Sequence, residues 1–296
     1  MDARAYLANE RELVERGLDR ILPSRMAWPS RLHDAMRYAV FGGGKRIRPI
    51  LVRTACRAAG GDPDEILEAA CAIELIHTYS LIHDDLPALD NDSLRRGRPT
   101  VHIAYDEALA ILTGDALLTE GFVVLSRFPE NDLYCTRRAD ACRLVAEAVS
   151  SRGMVGGQVE DMEATGQAPD GERLERIHRA KTGALLRASV ELGAILAGVV
   201  DSTQRQAFAR FGAGVGLLFQ ISDDILDVTG TAAELGKSPG KDAAAGKLTY
   251  PAVYGLDAAR AELEKLARSL IRNALDLEGP EGALAGLVDY LGRRDR

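Results

Sequence analysis

The sequence lacks the features of several specialised protein classes. Its 296 residues carry 37 Lys and Arg against 44 Asp and Glu, so no basic excess exists to neutralise a nucleic-acid backbone. No apolar run approaches the roughly 18 residues that suggest a membrane span. The segment from Met1 to Arg20 is charged throughout, unlike a secretory signal. We therefore expect no nucleic-acid partner and no stable membrane insertion, and we predict a cytoplasmic location.

Cysteine is scarce as well, with 4 residues and no CxxC spacing. This excludes the common zinc and thioredoxin-like motifs. Cys56, Cys71, Cys135 and Cys142 all lie in segments with a helical, half-apolar pattern. We predict that all four are reduced, buried thiols.

Strand patterns are missing too, since no convincing alternation of polar and apolar residues occurs. Apolar residues instead recur at helical spacing. The pattern predicts helices over residues 2–22, 32–40, 49–59, 64–86, 104–125, 136–151, 157–164, 173–197, 204–228, 250–277 and 282–293. The longest polar loops fall at 166–171 and 230–246. With no repeat period and no low-complexity linker, we predict an all-α protein of one domain, residues 1–296.

Acidic residues are concentrated at the end of the helix predicted over 64–86. That helix is apolar almost all round, so it should be buried and carry Asp84 and Asp85 into the interior. Together with Asp90 and Asp92 they put four carboxylates within nine residues. Close pairs of like charge repel by about 4 kcal/mol at an effective protein dielectric. A cation is therefore expected beside them.

A second acidic group, Asp223, Asp224 and Asp227, lies far along the chain in an apolar helical context. Asp223 and Asp227 are four residues apart and share one helix face. Two oxygen-rich walls across a helical cavity suit hard divalent cations, and Mg²⁺ commonly completes its shell with substrate phosphates. We interpret the two groups as a magnesium-diphosphate clamp.

Cations are clustered at helix ends near these acids. A run of three glycines after Phe41 leads into Lys45, Arg46 and Arg48 at a helix start, which is an anion-binding arrangement, although a solvated charged turn has the same pattern. Further cations are Arg95, Arg96, Lys181, Lys237 and Lys247. A polyanion bound through both metal and cations explains both signs of charge. Without a Ser-His-Asp or Cys-His arrangement, the site suits removal of diphosphate from carbon.

Several stretches together resemble the trans-isoprenyl diphosphate synthases, and bacterial farnesyl diphosphate synthases in particular. They are residues 43–49, 77–90, 94–97, 114–117, 181–183, 219–227 and 246–251. The resemblance spans nearly the whole chain in the family's order. It implies a barrel of helices around a deep cavity, usually in a homodimer, with Mg²⁺ and two diphosphate substrates.

The resemblance assigns roles to individual residues. Asp84, Asp85 and Asp90 resemble the first aspartate-rich motif, and Asp223, Asp224 and Asp227 resemble the second. Metal ligands are expected among Asp84, Asp85, Asp90 and Asp223, for three Mg²⁺ ions that Mn²⁺ can replace. Isopentenyl diphosphate would be held by Lys45, Arg48, His77 and Arg96. The allylic diphosphate would be held by Arg95, Lys181, Thr182, Gln220 and Lys237, and Lys247 would close over it. Lys181 and Lys237 join the six aspartates as catalytic residues. The implied reaction is ionisation of the allylic diphosphate, attack by the isopentenyl double bond, and loss of a proton to the released diphosphate.

The length of the product depends on residues before Asp84. Tyr79 lies five positions back, about 7 Å along a helix axis, and Ser80 follows it. In the family an aromatic residue at this position goes with a fifteen-carbon product. We predict farnesyl diphosphate, with geranylgeranyl diphosphate as the alternative; Tyr79 could also simply pack in the core.

Three other functions fit parts of the sequence. His33-Asp34 and His83-Asp84 both match the dipeptide of HD-type phosphohydrolases, but that chemistry leaves Asp223 without a role. A terpene cyclase has the first acidic motif, yet it needs no second diphosphate site. A non-catalytic regulatory subunit would keep the fold, but the intact acidic motifs argue against it.

Overall fold

The computed structural model describes residues 2–230 and 246–293. The first half contains α1 Ala3–Ile21, α2 Ser30–Val40, α3 Ile47–Ala58, α4 Leu67–Asp84, α5 Val101–Ala104, α6 Glu107–Arg127 and α7 Cys135–Val149. The second half contains α8 Met154–Ala164, α9 Gly171–Ile177, a π-helical turn His178–Gly183, α10 Ala184–Ala197, α11 Ser202–Thr229, α12 Tyr250–Tyr254, α13 Leu256–Glu278 and α14 Leu284–Gly292. The predicted all-α class is confirmed.

Helix α4 lies at the centre of the fold. Its residues are buried on almost every side, and Ile73, Leu75 and Ile76 are wholly inaccessible. Burial of each such side chain stabilises the fold by about 1.5–3 kcal/mol. The helix packs mainly against α6 and also against α3 and α1. This packing fixes the position of Asp84, the last residue of the helix.

Helix α10 completes the core by packing between α3 and α11. Gly193 makes this close approach possible, because a Cβ there would lie only 2.2 Å from the carbonyl oxygen of Val52. Helix α11 carries the second acidic group and is fixed in turn by α10 and α13. Apolar packing therefore determines where both acidic groups lie.

Buried ion pairs fix the glycine-rich loop before α3 against α4. Arg46 adopts a left-handed backbone conformation, with φ of 53°. Its Nη1 donates to Glu74 Oε1 at 2.8 Å, its Nε to Glu15 Oε1 at 2.9 Å, and its Nη2 to the carbonyl of Val40 at 2.6 Å. A buried guanidinium with its donors satisfied is a rigid anchor. Arg46 therefore supports the loop and leaves Lys45 and Arg48 to line a cavity.

Three of the predicted helices are interrupted. The helix predicted over 104–125 begins only at Glu107, after the short α5, and the one over 173–197 contains the π-helical turn. The one over 250–277 breaks at Gly255, where φ is 85°. The predicted loop before Thr100 contains a hairpin, Leu94–Arg95 paired with Arg98–Pro99. Arg96 and Gly97 have φ of 53° and 75°, the left-handed pair that a tight hairpin turn requires.

The cysteine prediction is correct for two of the four residues. Cys56 and Cys71 are buried, and burial raises the pKa of both thiols, that of Cys56 to about 12. Cys135 is exposed and Cys142 is half-buried, so for these two the predicted burial is wrong. Cys135 is the first residue of α7, where an amphipathic helix turns that position to solvent.

Helix α6 is the one described helix long and apolar enough to cross a membrane by length and composition alone. Within its most apolar window 39% of the residues are buried inside the protein. Its buried side packs on α4, while Ile111, Leu112 and Val123 face outwards. The helix is thus partly a core helix and partly an uncovered apolar face.

Candidate active site

A deep cavity of about 1030 Å³ opens beside the carboxyl end of α4. Most of the residues predicted to act line it: Lys45, Arg48, His77, Tyr79, Ser80, Asp84, Arg95, Arg96, Lys181, Thr182, Gln220, Asp223, Asp224, Asp227 and Lys247. Asp85 and Asp90 lie next to it without lining it. Lys237 lies outside the described residues. The fold therefore brings the two acidic groups and most of the predicted cations to one cavity.

The first acidic motif is folded back over the end of α4. The amide of Asp90 donates to the carbonyl of Asp84 at 2.8 Å, and that of Asp92 to the carbonyl of Asp85 at 3.2 Å. Asp85 is 3% exposed, and Arg95 holds both its oxygens through Nε–Oδ2 and Nη2–Oδ1 bonds of 2.8 and 2.7 Å. This bidentate pair orients Arg95 towards the cavity.

Asp84 is the least compensated carboxylate of the motif. Burial raises its pKa to about 6; the charge of Lys181 opposes this shift, and Asp90 adds to it. A carboxylate disfavoured in its ionised form gains most from a cation placed beside it. Asp84 therefore has the electrostatic character of a metal ligand.

The aspartates of the second acidic motif on α11 have different surroundings. Asp224 is 3% exposed, and its Oδ1 accepts from Gln220 Nε2 at 2.8 Å. Its Oδ2 accepts from the amide of Tyr250 at 2.8 Å and lies 3.3 Å from His178 Nε2. Both carboxylate oxygens of Asp224 therefore already have contacts within the protein. Asp223 and Asp227, one turn apart, also line the cavity.

Lys181 reaches the cavity from the π-helical turn His178–Gly183. Its Nζ is 2.6 Å from Asp161 Oδ2 on α8. Two glycines clamp this turn: a Cβ on Gly157 would lie 2.2 Å from the amide nitrogen of Lys181, and one on Gly216 would lie 2.8 Å from Cα of Gly183. Both glycines therefore allow close packing of the turn against α8 and α11. The wider turn thus projects Lys181 and Thr182 from between α8 and α11.

The glycine-rich loop and the hairpin meet on the opposite side. Arg96 Nη1 donates to the carbonyl of Gly43, and a Cβ on Gly44 would lie only 2.6 Å from the same nitrogen. Arg48 Nε is buried without a hydrogen-bond partner among the described residues, and burial lowers the pKa of Arg48 to about 10. A buried guanidinium with an unused donor is suited to bind an anion.

His77 lies among these cations on α4. Burial, followed by the charges of Arg48 and Arg96, lowers its pKa well below the ordinary value. The imidazole is therefore neutral at physiological pH. It can donate or accept one hydrogen bond but adds no charge to the anion site.

Two further contacts involve residues that line the cavity. Lys247 Nζ lies 3.3 Å from Asp90 Oδ1. Tyr79, five residues before Asp84 on α4, packs its ring edge-on against His83, with ring centroids 5.6 Å apart. His83 fits because Gly114 faces it, where a Cβ would lie 2.1 Å from Nε2. The cavity wall therefore includes aromatic rings as well as carboxylates and cations.

Sequence reasoning missed three residues of the site: Asp161, His178 and His83. Asp161 shares a buried face of α8 with Met154, Gly157 and Ala164, at helical spacing. A carboxylate at a position where helical periodicity requires burial is a signal of a polar role. His178 occupies a buried position after Ile177 in the same way. A polar residue at a position where the helical pattern predicts burial is therefore the sequence signal for both Asp161 and His178.

The site fits a divalent cation, although it forms no complete metal-binding group by itself. Among residues 2–230 and 246–293, no three His, Cys, Asp or Glu side chains are gathered closely enough to hold an ion. Asp84 and Asp223 instead line the cavity beside Arg48 and Lys181. Mg²⁺ often takes only one or two carboxylates and completes its shell with phosphate oxygens and water. The donor set suits that mode of binding.

Comparison with known proteins identifies the family. The model of the family Polyprenyl synthetase matches residues 29–279. The chain belongs to the polyprenyl synthetase family. A farnesyl diphosphate synthase of Geobacillus stearothermophilus is 43% identical over 298 residues, with 100% of this chain and 99% of that protein covered. The chloroplastic heterodimeric geranylgeranyl pyrophosphate synthase large subunit 1 of Arabidopsis thaliana is 44% identical, with 99% and 80% covered.

Solved structures agree with this polyprenyl synthetase assignment. An apo FPP/GFPP synthase from Zymomonas mobilis superposes with a TM-score of 0.84 at 36% identity, covering 98% of this chain and 97% of that one. A geranyltransferase from Helicobacter pylori, complexed with magnesium and isoprenyl diphosphate, has a TM-score of 0.83 at 31% identity, covering 98% and 96%. The protein is therefore a prenyltransferase of isoprenoid biosynthesis that acts on prenyl diphosphates. Its relatives make both farnesyl and geranylgeranyl products.

The family assignment removes the phosphohydrolase alternative. The structure gives a physical reason, because His33 Nδ1 lies 3.1 Å from the carbonyl of Ala27 and Asp34 pairs with Arg25 at 2.8 Å. Neither residue lines the cavity, so the two His-Asp dipeptides do not form one site.

Asp84→Asn should stabilise the metal-free protein at about pH 7.5. Folding raises the pKa of Asp84 from 3.8 to about 6, so between these values the folded state binds more protons and its stability falls as pH rises. Above pH 6 the ionised carboxylate therefore costs about 1–3 kcal/mol, which Asn avoids. The gain should shrink as pH falls from 6 towards 4. Urea unfolding in chelator at several pH values measures it.

The control for this substitution is Asp276→Asn on the exposed side of α13, which should change the free energy of unfolding by less than about 0.5 kcal/mol. A variant at position 84 no more stable than wild type at about pH 7.5 would contradict the assigned electrostatic cost.

Proposed function

We propose that the protein is a magnesium-dependent farnesyl diphosphate synthase. It would condense isopentenyl diphosphate with dimethylallyl and then geranyl diphosphate and release diphosphate at each step. The observation that carries the farnesyl product is Tyr79, which is 6% exposed, lines the cavity and packs its ring on His83. It lies five residues before Asp84, about 7 Å along α4. Ser80 lines the cavity beside it and is the second residue that we assign to chain length.

A steric floor explains the product length better than affinity does. Each isoprene unit adds five carbons, and at about 0.8 kcal/mol per buried methylene it would gain roughly 4 kcal/mol of burial. Affinity alone would therefore favour ever longer tails. A ring fixed by tight packing cannot move aside without a cost of the same order. Growth should stop where the tail meets Tyr79.

The proposed metal ligands are Asp84, Asp90 and Asp223. Arg95 occupies both oxygens of Asp85, so Asp85 would contribute by holding Arg95 in place. Bound Mg²⁺, in the three sites that the resemblance implies and with Mn²⁺ as a possible substitute, would supply positive charge to the departing diphosphate.

The cations divide into two diphosphate sites. Lys45, Arg48, His77 and Arg96, at the glycine-rich loop, would hold isopentenyl diphosphate, and the unused Nε of Arg48 supports this. Arg95, Lys181, Thr182, Gln220, Lys237 and Lys247 would hold the allylic diphosphate. Two sites fit a condensation of two diphosphates, whereas a cyclase needs only one.

The reaction would begin when the allylic carbon–oxygen bond ionises. Lys181 and Lys247 would stabilise the negative charge that develops on the leaving diphosphate. Phe219 also lines the cavity and would help to keep water from the allylic cation. The isopentenyl double bond attacks that cation, and the new cation loses a proton to the released diphosphate. His77, being neutral, would orient the substrate without repelling the cation.

We further propose that two copies associate through the outer face of α6 in the cytoplasm. Ile111, Leu112 and Val123 leave 45 to 56% of their surface exposed on one side of this helix. An exposed apolar stripe along a long helix is an unfavourable surface for a monomer. The family resemblance implies a homodimer, and a second copy of α6 offers the same apolar stripe in return.

Incubation with labelled isopentenyl diphosphate, Mg²⁺ and each allylic primer in turn tests the function. We expect label in a fifteen-carbon diphosphate, and no incorporation by Asp84→Ala or in chelator. Absence of any labelled product would overturn the synthase proposal and favour a regulatory subunit. A twenty-carbon product from the wild type would instead assign geranylgeranyl diphosphate synthesis.

Tyr79→Ala should lengthen the main product by at least one isoprene unit, because it removes the floor while leaving the metal site intact. Chromatography of the dephosphorylated products measures the length. The matched control is Tyr134→Ala, which removes an equally buried tyrosine outside the cavity and should leave the length unchanged. A farnesyl product from Tyr79→Ala would show that Tyr79 only packs in the core.

Leu112→Glu should convert the dimer to a monomer, because a buried unpaired carboxylate costs several kcal/mol. Sedimentation velocity reads the mass directly. Val200→Glu adds the same charge at an apolar residue that is 90% exposed outside α6, and it should remain dimeric. A monomeric wild type, or a dimeric Leu112→Glu, would exclude this interface.

A further inference from the structure

One buried contact of the cavity has no part in the reaction described above. His178, the first residue of the π-helical turn, is 4% exposed, and its Nε2 lies 3.3 Å from Asp224 Oδ2. Its Nδ1 is buried without a hydrogen-bond partner among the described residues. The ring stacks on Tyr250 at 6.4 Å between centroids and 17° between planes. A buried histidine nitrogen without a hydrogen-bond partner is unfavourable, so the other contacts of this ring, or its contacts when substrate is bound, should explain its position.

Asp224 connects three separate pieces of chain at this point. It belongs to α11, it accepts from the amide of Tyr250 at the start of α12, and it faces His178 in the turn that carries Lys181. The segment 246–250 therefore meets the cavity wall through Asp224. Lys247, which lines the cavity and lies 3.3 Å from Asp90, belongs to that segment.

Both apolar and polar contacts hold the same segment. Leu248 is buried in a small cluster with Ala164, Leu174 and Ile177, and Tyr250 packs against this cluster and against the main core. The amide of Gly166 donates to the carbonyl of Gly246 at 2.9 Å. The bond from the Tyr250 amide to Asp224 adds a polar contact, and losing it should let the segment open more readily.

We propose that His178 is a positioning residue that orients Asp224 so that the segment 246–250 docks and Lys247 is held beside Asp90 in the cavity wall. Ring stacking places His178 against the first residue of α12, while Nε2 approaches the oxygen that also accepts from the Tyr250 amide. A distance of 3.3 Å is long for a hydrogen bond, and such contacts commonly tighten when substrate binds. The effect of His178 on catalysis rests on the proposed function, because there Lys247 contacts the allylic diphosphate.

The test compares His178→Phe, which keeps a ring to stack on Tyr250, with His178→Gln, which keeps an N–H donor. Losing the contact that His178 makes with the Asp224 carboxylate when substrate binds should raise the KM for the allylic substrate by about 10- to 100-fold. The KM for isopentenyl diphosphate should stay within about twofold, because its proposed ligands lie at the glycine-rich loop. His178→Gln should recover most of the loss. His102→Phe, which replaces a histidine outside the cavity, should match the wild type in both constants.

Hydrogen exchange of the Tyr250 amide tests docking without any turnover. This amide donates to Asp224, so its exchange should accelerate by about 10- to 100-fold in His178→Phe and in Asp224→Asn, and much less in His178→Gln. Unchanged exchange in His178→Phe, or an equal rise of both KM values, would overturn the proposal. If His178→Phe does not fold, Asp224→Asn and His178→Gln decide by the same exchange measurement. If the wild type incorporates no isopentenyl label, the proposed function fails, while the exchange of the Tyr250 amide still decides the role of His178.

Discussion

Burial of charged groups around one cavity is the constraint on which this structure depends. Apolar packing fixes α4 and α11, and so fixes where Asp84 and Asp223 line the cavity. The pKa of Asp84, raised first by burial and further by Asp90, measures the cost of holding its carboxylate there. A rigid site that is electrostatically unsatisfied when empty is matched to cations and to the polyanion that accompanies them.

Ion pairs with neighbouring carboxylates position most of the cations around the cavity. Arg95 is fixed by Asp85, Lys181 by Asp161, and Lys247 lies against Asp90. Each pairing keeps a cation oriented before substrate arrives, so less side-chain entropy is lost on binding. Arg48 differs, since its buried Nε has no partner among the described residues. That difference supports the division into two diphosphate sites.

Glycines explain how backbone and side chains come so close together. Gly157 and Gly216 clamp the turn that carries Lys181, Gly44 admits Arg96, and Gly114 admits His83. In each case an added Cβ would collide with a residue that lines the cavity or with the turn that carries Lys181. The packing of His83 and of this turn thus depends on positions that carry no chemistry themselves.

The sequence by itself determined the helical class, the acidic motifs, most of the cations around the cavity and the place of Tyr79 five residues before Asp84. These features are local, because helical periodicity, charge clusters and motif spacing are properties of neighbouring residues. Only the tertiary structure decided that Arg95 pairs with Asp85 and that Asp224 accepts hydrogen bonds from Gln220 and the Tyr250 amide. It also decided that His178 and Asp161 belong to the site. Such pairings join residues from separate helices, and a side chain's partner depends on how those helices pack, which periodicity does not encode.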